Sequence, residues 1–185
     1  DSVNCNGGNT GSITATGGGA NGGYLYSLSG PVIVPYTASN TFGSLVAGLY
    51  TVTVKDSKNC STSTSISVLQ PAALLASASS ANINCFGGDT TITAIGLGGT
   101  LPYQYNINGG AYQIGSTFAN NAAGTYTISI QDANGCAAST TIIVTEPSSA
   151  VSATISSIVN PGCGALANSG SITAAASGGT VGYTW

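Results

Sequence analysis

The chain repeats itself at domain-sized intervals, which restricts it to folding units that each close a small core and are joined end to end. Asn4-Cys5-Asn6-Gly7-Gly8 returns as Asn84-Cys85-Phe86-Gly87-Gly88. Each is followed by a β-rich run, Ser12-Ile13-Thr14-Ala15 and then Thr91-Ile92-Thr93-Ala94. A third copy shows as Cys163 followed by Ser171-Ile172-Thr173-Ala174. A Gly-rich turn and an aromatic segment come next: Tyr24-Leu25-Tyr26, Tyr103-Gln104-Tyr105 and Tyr183-Thr184-Trp185. Farther on, Ala47-Gly48-Leu49-Tyr50-Thr51-Val52-Thr53-Val54 corresponds to Ala123-Gly124-Thr125-Tyr126-Thr127-Ile128-Ser129-Ile130. Both run into an Asp turn, Asp56-Ser57-Lys58-Asn59-Cys60 and Asp132-Ala133-Asn134-Gly135-Cys136. The copies close with Gln70-Pro71 and Glu146-Pro147, a spacing that suits one small β-sandwich.

Within a copy the apolar residues alternate. Tyr126, Ile128 and Ile130 point one way and Thr125, Thr127, Ser129 and Gln131 the other, the period-2 signature of a half-buried strand. Tyr50, Val52 and Val54 repeat the pattern, and Ile92 with Ala94, Tyr103 with Tyr105, and Ile142 with Val144 supply facing residues. Six or seven short strands with Gly and Asn turns and no helical period predict an all-β chain of tandem immunoglobulin-like β-sandwich modules. A continuous β-solenoid is the other architecture considered; its much shorter coil period is absent here. After Pro71, and again after Pro147, an alternating segment reads as the opening strand of a module (Leu74 to Ser79, and Val151 to Ile155). These boundaries predict a first module, 1–71, lacking its opening strand, a complete module, 72–147, and the N-terminal part of a third, 148–185, ending inside its third strand. On this reading the chain is a window from a longer array, a mature or excised piece without signal peptide or initiator Met.

Composition narrows function. Only Asp1, Lys55, Asp56, Lys58, Asp89, Asp132 and Glu146 are charged, and His, Arg and Met are absent. A net charge of -3 offers no basic stripe for phosphates and argues against nucleic-acid partners. No run approaches eighteen consecutive apolar residues, so no membrane span is expected. Five regularly spaced cysteines in a Ser/Thr/Asn/Gly-rich chain point to an oxidising, extracellular setting. Catalysis needs a positioned acid, base, nucleophile or metal. Without His or Arg a Ser or Cys nucleophile lacks its usual base. Asp56 and Asp132 occupy the same place in different copies, so they are not a glycosidase pair. The chain is therefore read as non-enzymatic, with no cofactor. Asp56 and Asp132 are read as turn caps rather than calcium ligands, which come as six to eight oxygens. Asp89 is no better placed for a metal. Tyr24, Tyr26, Tyr103, Tyr105, Tyr183 and Trp185 invite a sugar-stacking reading, but filling the core and covering a sheet face is the stronger account of them. Tyr50 and Tyr126 read as tyrosine corners.

The motif set resembles the SprB repeat of very large surface adhesins in gliding Bacteroidetes and of related secreted proteins. Its parts are Cys-x-Gly-Gly, Gly-Ser-Ile-Thr, Gly-Gly-x-x-x-Tyr-x-Tyr/Trp, Ala-Gly-x-Tyr-Thr-Val-x-Val and Asp-Ala-Asn-Gly-Cys. The first copy departs with Asp56-Ser57-Lys58-Asn59-Cys60 and the third with Asn160-Pro161-Gly162-Cys163. The resemblance implies a sandwich fold, export by type IX secretion, gliding motility and display as long adhesive filaments. It suits a stalk or filament module that projects a binding tip and bears load, with neighbouring modules or identical chains as partners and surface glycans as a ligand class. A carbohydrate-binding module, or a self-assembling sheath subunit that borrows its missing strand from a neighbouring chain, are the alternatives. Asp1-Ser2-Val3 and Asp89-Thr90-Thr91 fit a hydroxyl-glycosylation pattern associated with Bacteroidetes, making Ser2 and Thr90 candidates. Asn59-Cys60-Ser61 fits the asparagine sequon.

Cysteine pairing stays open between two schemes. One joins the cysteines of a single copy, Cys5 to Cys60 and Cys85 to Cys136, leaving Cys163 over. The other follows from immunoglobulin-like strand order, which puts Cys85 at the far end of its module and Cys136 at the near end. Seven or eight strand residues separate those ends by roughly 25 Å, whereas a disulfide needs Cα atoms within about 7 Å. The far end of module one abuts the near end of module two, so distance favours Cys5 with Cys136.

Overall fold

The computed structural model describes residues 1–19, 21–162 and 169–184. Among them are fourteen β-strands and no helix. The first set is β1 (Gly11–Thr14), β2 (Leu25–Ser29), β3 (Val34–Thr37), β4 (Thr41–Leu45), β5 (Gly48–Lys55) and β6 (Ser61–Val68). The second set is β7 (Leu75–Ser80), β8 (Thr90–Leu97), β9 (Gln104–Ile107), β10 (Thr117–Asn121), β11 (Gly124–Gln131) and β12 (Ala137–Val144). β13 (Ser152–Val159) and β14 (Ser171–Ser177) form a final hairpin.

In the second set one sheet runs β10-β8-β7 and the other β12-β11-β9. Taken in chain order as A, B, C, E, F and G, these are the A-B-E and C-F-G sheets of an immunoglobulin-like sandwich without strand D. Alternation explains the layering. Ile128 and Ile130 of β11 are fully buried, as is Ile92 of β8, while Thr125 and Thr127 are exposed. Ile83, Ala94, Phe118 and Val144 complete the buried cluster, and Leu74, Ala76 and Ala78, from β7 and its approach, pack against it. The β11–β12 pairing runs unbroken from Gly124↔Val144 to Gln131↔Ala137, which pins the register that keeps the isoleucines inside. The start of β7 is fixed by a glycine turn. Gly98 has φ +76°, and a Cβ there would lie 2.0 Å from the Ala73 carbonyl oxygen, so only glycine fits.

The first set repeats this plan around its own core of Val3, Ile13, Tyr26, Leu28, Phe42, Leu45, Tyr50, Val52 and Val68. Its sheets are β1-β4 and β3-β2-β5-β6. β1 has a strand on one side only; the place that β7 takes beside β8 holds no strand among the described residues. Asp1 reaches the end of that place, pairing with Ser12 through N–H to carbonyl bonds of 2.7 and 3.2 Å.

One expectation fails in the third copy. The aromatic strand predicted at Tyr183-Thr184-Trp185 is not formed over Val181–Thr184, and Trp185 lies outside the described residues. The equivalent strands β2 and β9 exist by pairing with β5 and β11, and the third copy has no such partner among the described residues. Its hairpin leaves Ile155, Ile158 and Ile172 exposed.

Candidate functional site

The repeats meet where the β11–β12 hairpin of the second faces the loop before β1 of the first. The hairpin is built by Asp132, 5% exposed. Its Oδ1 accepts the backbone N–H groups of Asn134 and Cys136, each at 2.9 Å, and its Oδ2 accepts Thr100 N–H at 2.9 Å. Gly135 takes the left-handed position, φ +81°. With three donors on its two oxygens, Asp132 fastens the hairpin to the β8–β9 loop and sets the position of Cys136. In the first copy Asp56 does the same for Lys58 and Cys60, and Asn59 at φ +63° replaces the glycine, a substitution Asn tolerates. The Asn21 amide, 2.8 Å from Oδ2, holds the Asp56 carboxyl below its ordinary pKa. Asp132→Ala would strand three N–H groups and cost about 1–3 kcal/mol, read by equilibrium unfolding.

The opposing loop is built by glycine and by the residue before the closing proline. Gly8 N–H donates to the Cys5 carbonyl at 3.0 Å, with Gly7 at φ +74°. Gly7 N–H donates to Gln70 Oε1 at 2.7 Å and Asn6 Nδ2 to the Pro71 carbonyl at 3.0 Å. The second copy matches: Gly88 N–H donates to the Cys85 carbonyl at 3.0 Å, Gly87 has φ +75°, and its N–H donates to Glu146 Oε2.

A disulfide joins the two parts, Cys5 to Cys136, with Cα atoms 5.7 Å apart and a sequence separation of 131. The Asn134 amide bridges the same gap, donating to the Asn4 carbonyl at 3.0 Å and to Thr100 Oγ1 at 3.1 Å. The chain of the linker and this bond are two separate attachments between repeats. A family model matches residues 1–32, and its description is the SprB repeat. The similarity to the SprB repeat thus lies in the first copy. The matched stretch holds the Cys5 loop, β1 and Tyr24-Leu25-Tyr26, so the bridging loop lies within the part of the chain that is similar to the SprB repeat. Among curated protein sequences none matches. Of solved structures, a C-terminal 282-residue fragment of intimin, in complex with the intimin-binding domain of the translocated intimin receptor, is 15% identical with a TM-score of 0.38. The match covers 68% of this chain and 54% of that one. The N-terminal eight Ig domains of Down Syndrome Cell Adhesion Molecule are 14% identical with a TM-score of 0.32, covering 75% of this chain and 21% of that one. At these scores the immunoglobulin-like assignment stands on strand order.

Cys60 and Cys85 are exposed free thiols, so the single-copy pairing of Cys5 with Cys60 and Cys85 with Cys136 is not the one formed. Cys163 lies outside the described residues. Ser2 is exposed and Thr90 half-buried, the latter with its carbonyl accepting Asn121 Nδ2 at 3.3 Å. Asn59 and Asp89 are exposed. Tyr24 and Tyr26 pack in or against the first core, and Tyr103 and Tyr105 against the second. Tyr26 is buried, and Tyr24, Tyr103, Tyr105 and Tyr183 are half-buried. The hydroxyls of Tyr24, Tyr103 and Tyr183 donate to the carbonyls of Gly19, Gly98 and Gly178, tying each Gly-rich turn to the tyrosine that follows it. Tyr50 and Tyr126 form the corners, donating to the carbonyls of Val46 at 3.0 Å and Ala122 at 2.8 Å. Tyr50→Phe should cost about 1 kcal/mol by losing that bond alone, measured as a shift in the denaturation midpoint of the first repeat. Sequence reasoning missed Thr100, Asn134, Asn4 and the Gln70/Glu146 grip; the repeated Gln/Glu-Pro ending was the signal for the last.

Proposed function

We propose that these repeats, 1–71, 72–147 and the start of another at 148–185, are stalk modules of a secreted or cell-surface adhesin, stiffened by a disulfide across each joint. The observation that carries the reading is the Cys5–Cys136 bond. A single linker lets two domains swivel, whereas a second attachment at the same joint confines them to small rotations. A stalk that holds a binding tip away from a surface under shear needs that stiffness. The chemistry left to the side chains agrees: Asp56 and Asp132 are occupied as turn caps, and the tyrosine hydroxyls hold turns. Among the described residues no helix is long and apolar enough to cross a membrane. Export by type IX secretion and glycosylation at exposed Ser2 complete the reading.

Small-angle scattering on the oxidised chain and on Cys136→Ser tests it. The oxidised chain should show one narrow distribution of end-to-end distances, and the variant a broader one. Equal breadth would mean that the disulfide does not stiffen the joint, and the stalk reading would lose its support.

A further inference from the structure

The joint disulfide changes which part of the chain tension has to pass through. Without it, a pull between residues 1 and 185 runs through every residue in turn. It enters the second repeat at Pro71, passes along β7 to β11 and leaves by β12. With Cys5 bonded to Cys136 a shorter covalent route exists: residues 1–5, the two sulfurs, then 136–185. The stretch between the two cysteines, a sequence separation of 131, is left off that route. Of the buried core residues, only Val3 in the first repeat and Val144 in the second remain on it. Residues 1–5 and 136–185 are common to both routes, so chain attached at either end leaves the comparison unchanged.

β12 is the strand that takes the short route through the second repeat. Cys136 stands directly before it, and Thr145-Glu146-Pro147 leave it at the other end. A strand rises about 3.3 Å per residue, close to the roughly 3.3–3.6 Å of a fully extended chain. Pulling β12 from both ends therefore gains almost no length, even if the repeat around it were to unfold. The same holds ahead of Cys5, where only residues 1–5 are on the route. Tension unfolds a domain by favouring the longer state in proportion to the length gained. Where unfolding lengthens the route by almost nothing, tension has almost nothing to act on. The bond is open to reagents: a hollow of about 320 Å³ lies beside it, lined by Cys5, Asn6, Leu74 and Cys136.

We infer that the Cys5–Cys136 disulfide is a strap that carries axial tension past the cores of both repeats, so that a pull along the chain unfolds neither. The strap is fixed at both ends by local structure. Asp132 Oδ1 holds the Cys136 N–H at 2.9 Å, and the Cys5 carbonyl accepts Gly8 N–H at 3.0 Å. A repeat guarded in this way resists heat or urea by its own packing, but resists tension by the bond. The inference rests on the disulfide and not on the stalk role, because stiffness against bending and shielding from tension are separate consequences of one bond.

Pulling the full chain by tags at its two termini in optical tweezers tests this, with Cys136→Ser as the comparison. Cys136→Ser should give two unfolding steps, one per core, and a final length greater by about 450 Å, from a separation of 131 at roughly 3.3–3.6 Å per residue. Each repeat has its own core, so this variant still folds, and Cys5→Ser should match it step for step. The decisive run holds the oxidised chain at a force that unfolds the variant within seconds, then adds a small dithiol. The dithiol opens the bond, leaving Cys5 and Cys136 as thiols and itself becoming a cyclic disulfide. Repeats kept folded by the strap should then give the variant's two steps, after waiting times like the variant's. A jump of a repeat's whole length at the instant of reduction would mean that it had already unfolded under load, and overturns the inference. So does an oxidised chain that extends as far as Cys136→Ser before any dithiol is added. Scattering reads the stalk separately. A broad joint with shielded repeats sinks the stalk reading alone, and a narrow joint with the instant jump sinks the strap alone.

Discussion

Ile128→Ala should destabilise the second repeat by about 2–5 kcal/mol, while Thr127→Ala, one residue away, stays within about 1 kcal/mol. Ile128 is fully buried between the two sheets, beside Ile92 and Ile130. Removing three carbons there loses their transfer free energy and leaves a cavity that the β11 backbone, paired on both sides, cannot close. Thr127 faces water. Its N–H bond to Asn108 Oδ1 at 2.9 Å is a backbone bond that alanine keeps. Urea titration of each variant decides the matter, and equal losses at the two positions would contradict a sandwich with one buried and one wet face.

The second large effect belongs to Cys136→Ser. Closing a loop with a sequence separation of 131 is worth about 4–5 kcal/mol on the chain-entropy account of disulfides when both repeats unfold. Each repeat has its own core, so the bond couples two units rather than holding one together. Cys5→Ser, Cys136→Ser and the double variant should therefore lose the same stability, because each removes the one bond and the second substitution removes nothing further. Cys85→Ser, at an exposed free thiol, should leave the monomer unchanged. Additive losses from Cys5→Ser and Cys136→Ser would mean that the two sulfurs are not partners.

Much of the fold was legible because side-chain period and turn chemistry are local. The alternation in Tyr126-Thr127-Ile128-Ser129-Ile130 fixes which face of β11 is buried, and Asp132 with Gly135 fixes a hairpin within a few residues. The joint was partly legible, since strand order and the steady rise of an extended chain place Cys136 far from Cys85 without any knowledge of packing. What was hidden depends on contacts distant in sequence. Thr100 is tied to Asp132 and Glu146 to Gly87, each pair far apart along the chain. Neither pairing leaves a local trace beyond a polar residue in a loop. Tyr183 misled for the opposite reason. Its sequence is strand-like, but a strand exists only against a partner, and none of the described residues supplies one.

The most direct measurement is a non-reducing peptide map of the folded chain, with free thiols alkylated before digestion. The account predicts a Cys5–Cys136 peptide, with Cys60 and Cys85 alkylated in dilute monomer. A Cys85–Cys136 peptide would contradict it, because that bond would require the two ends of one sandwich to meet.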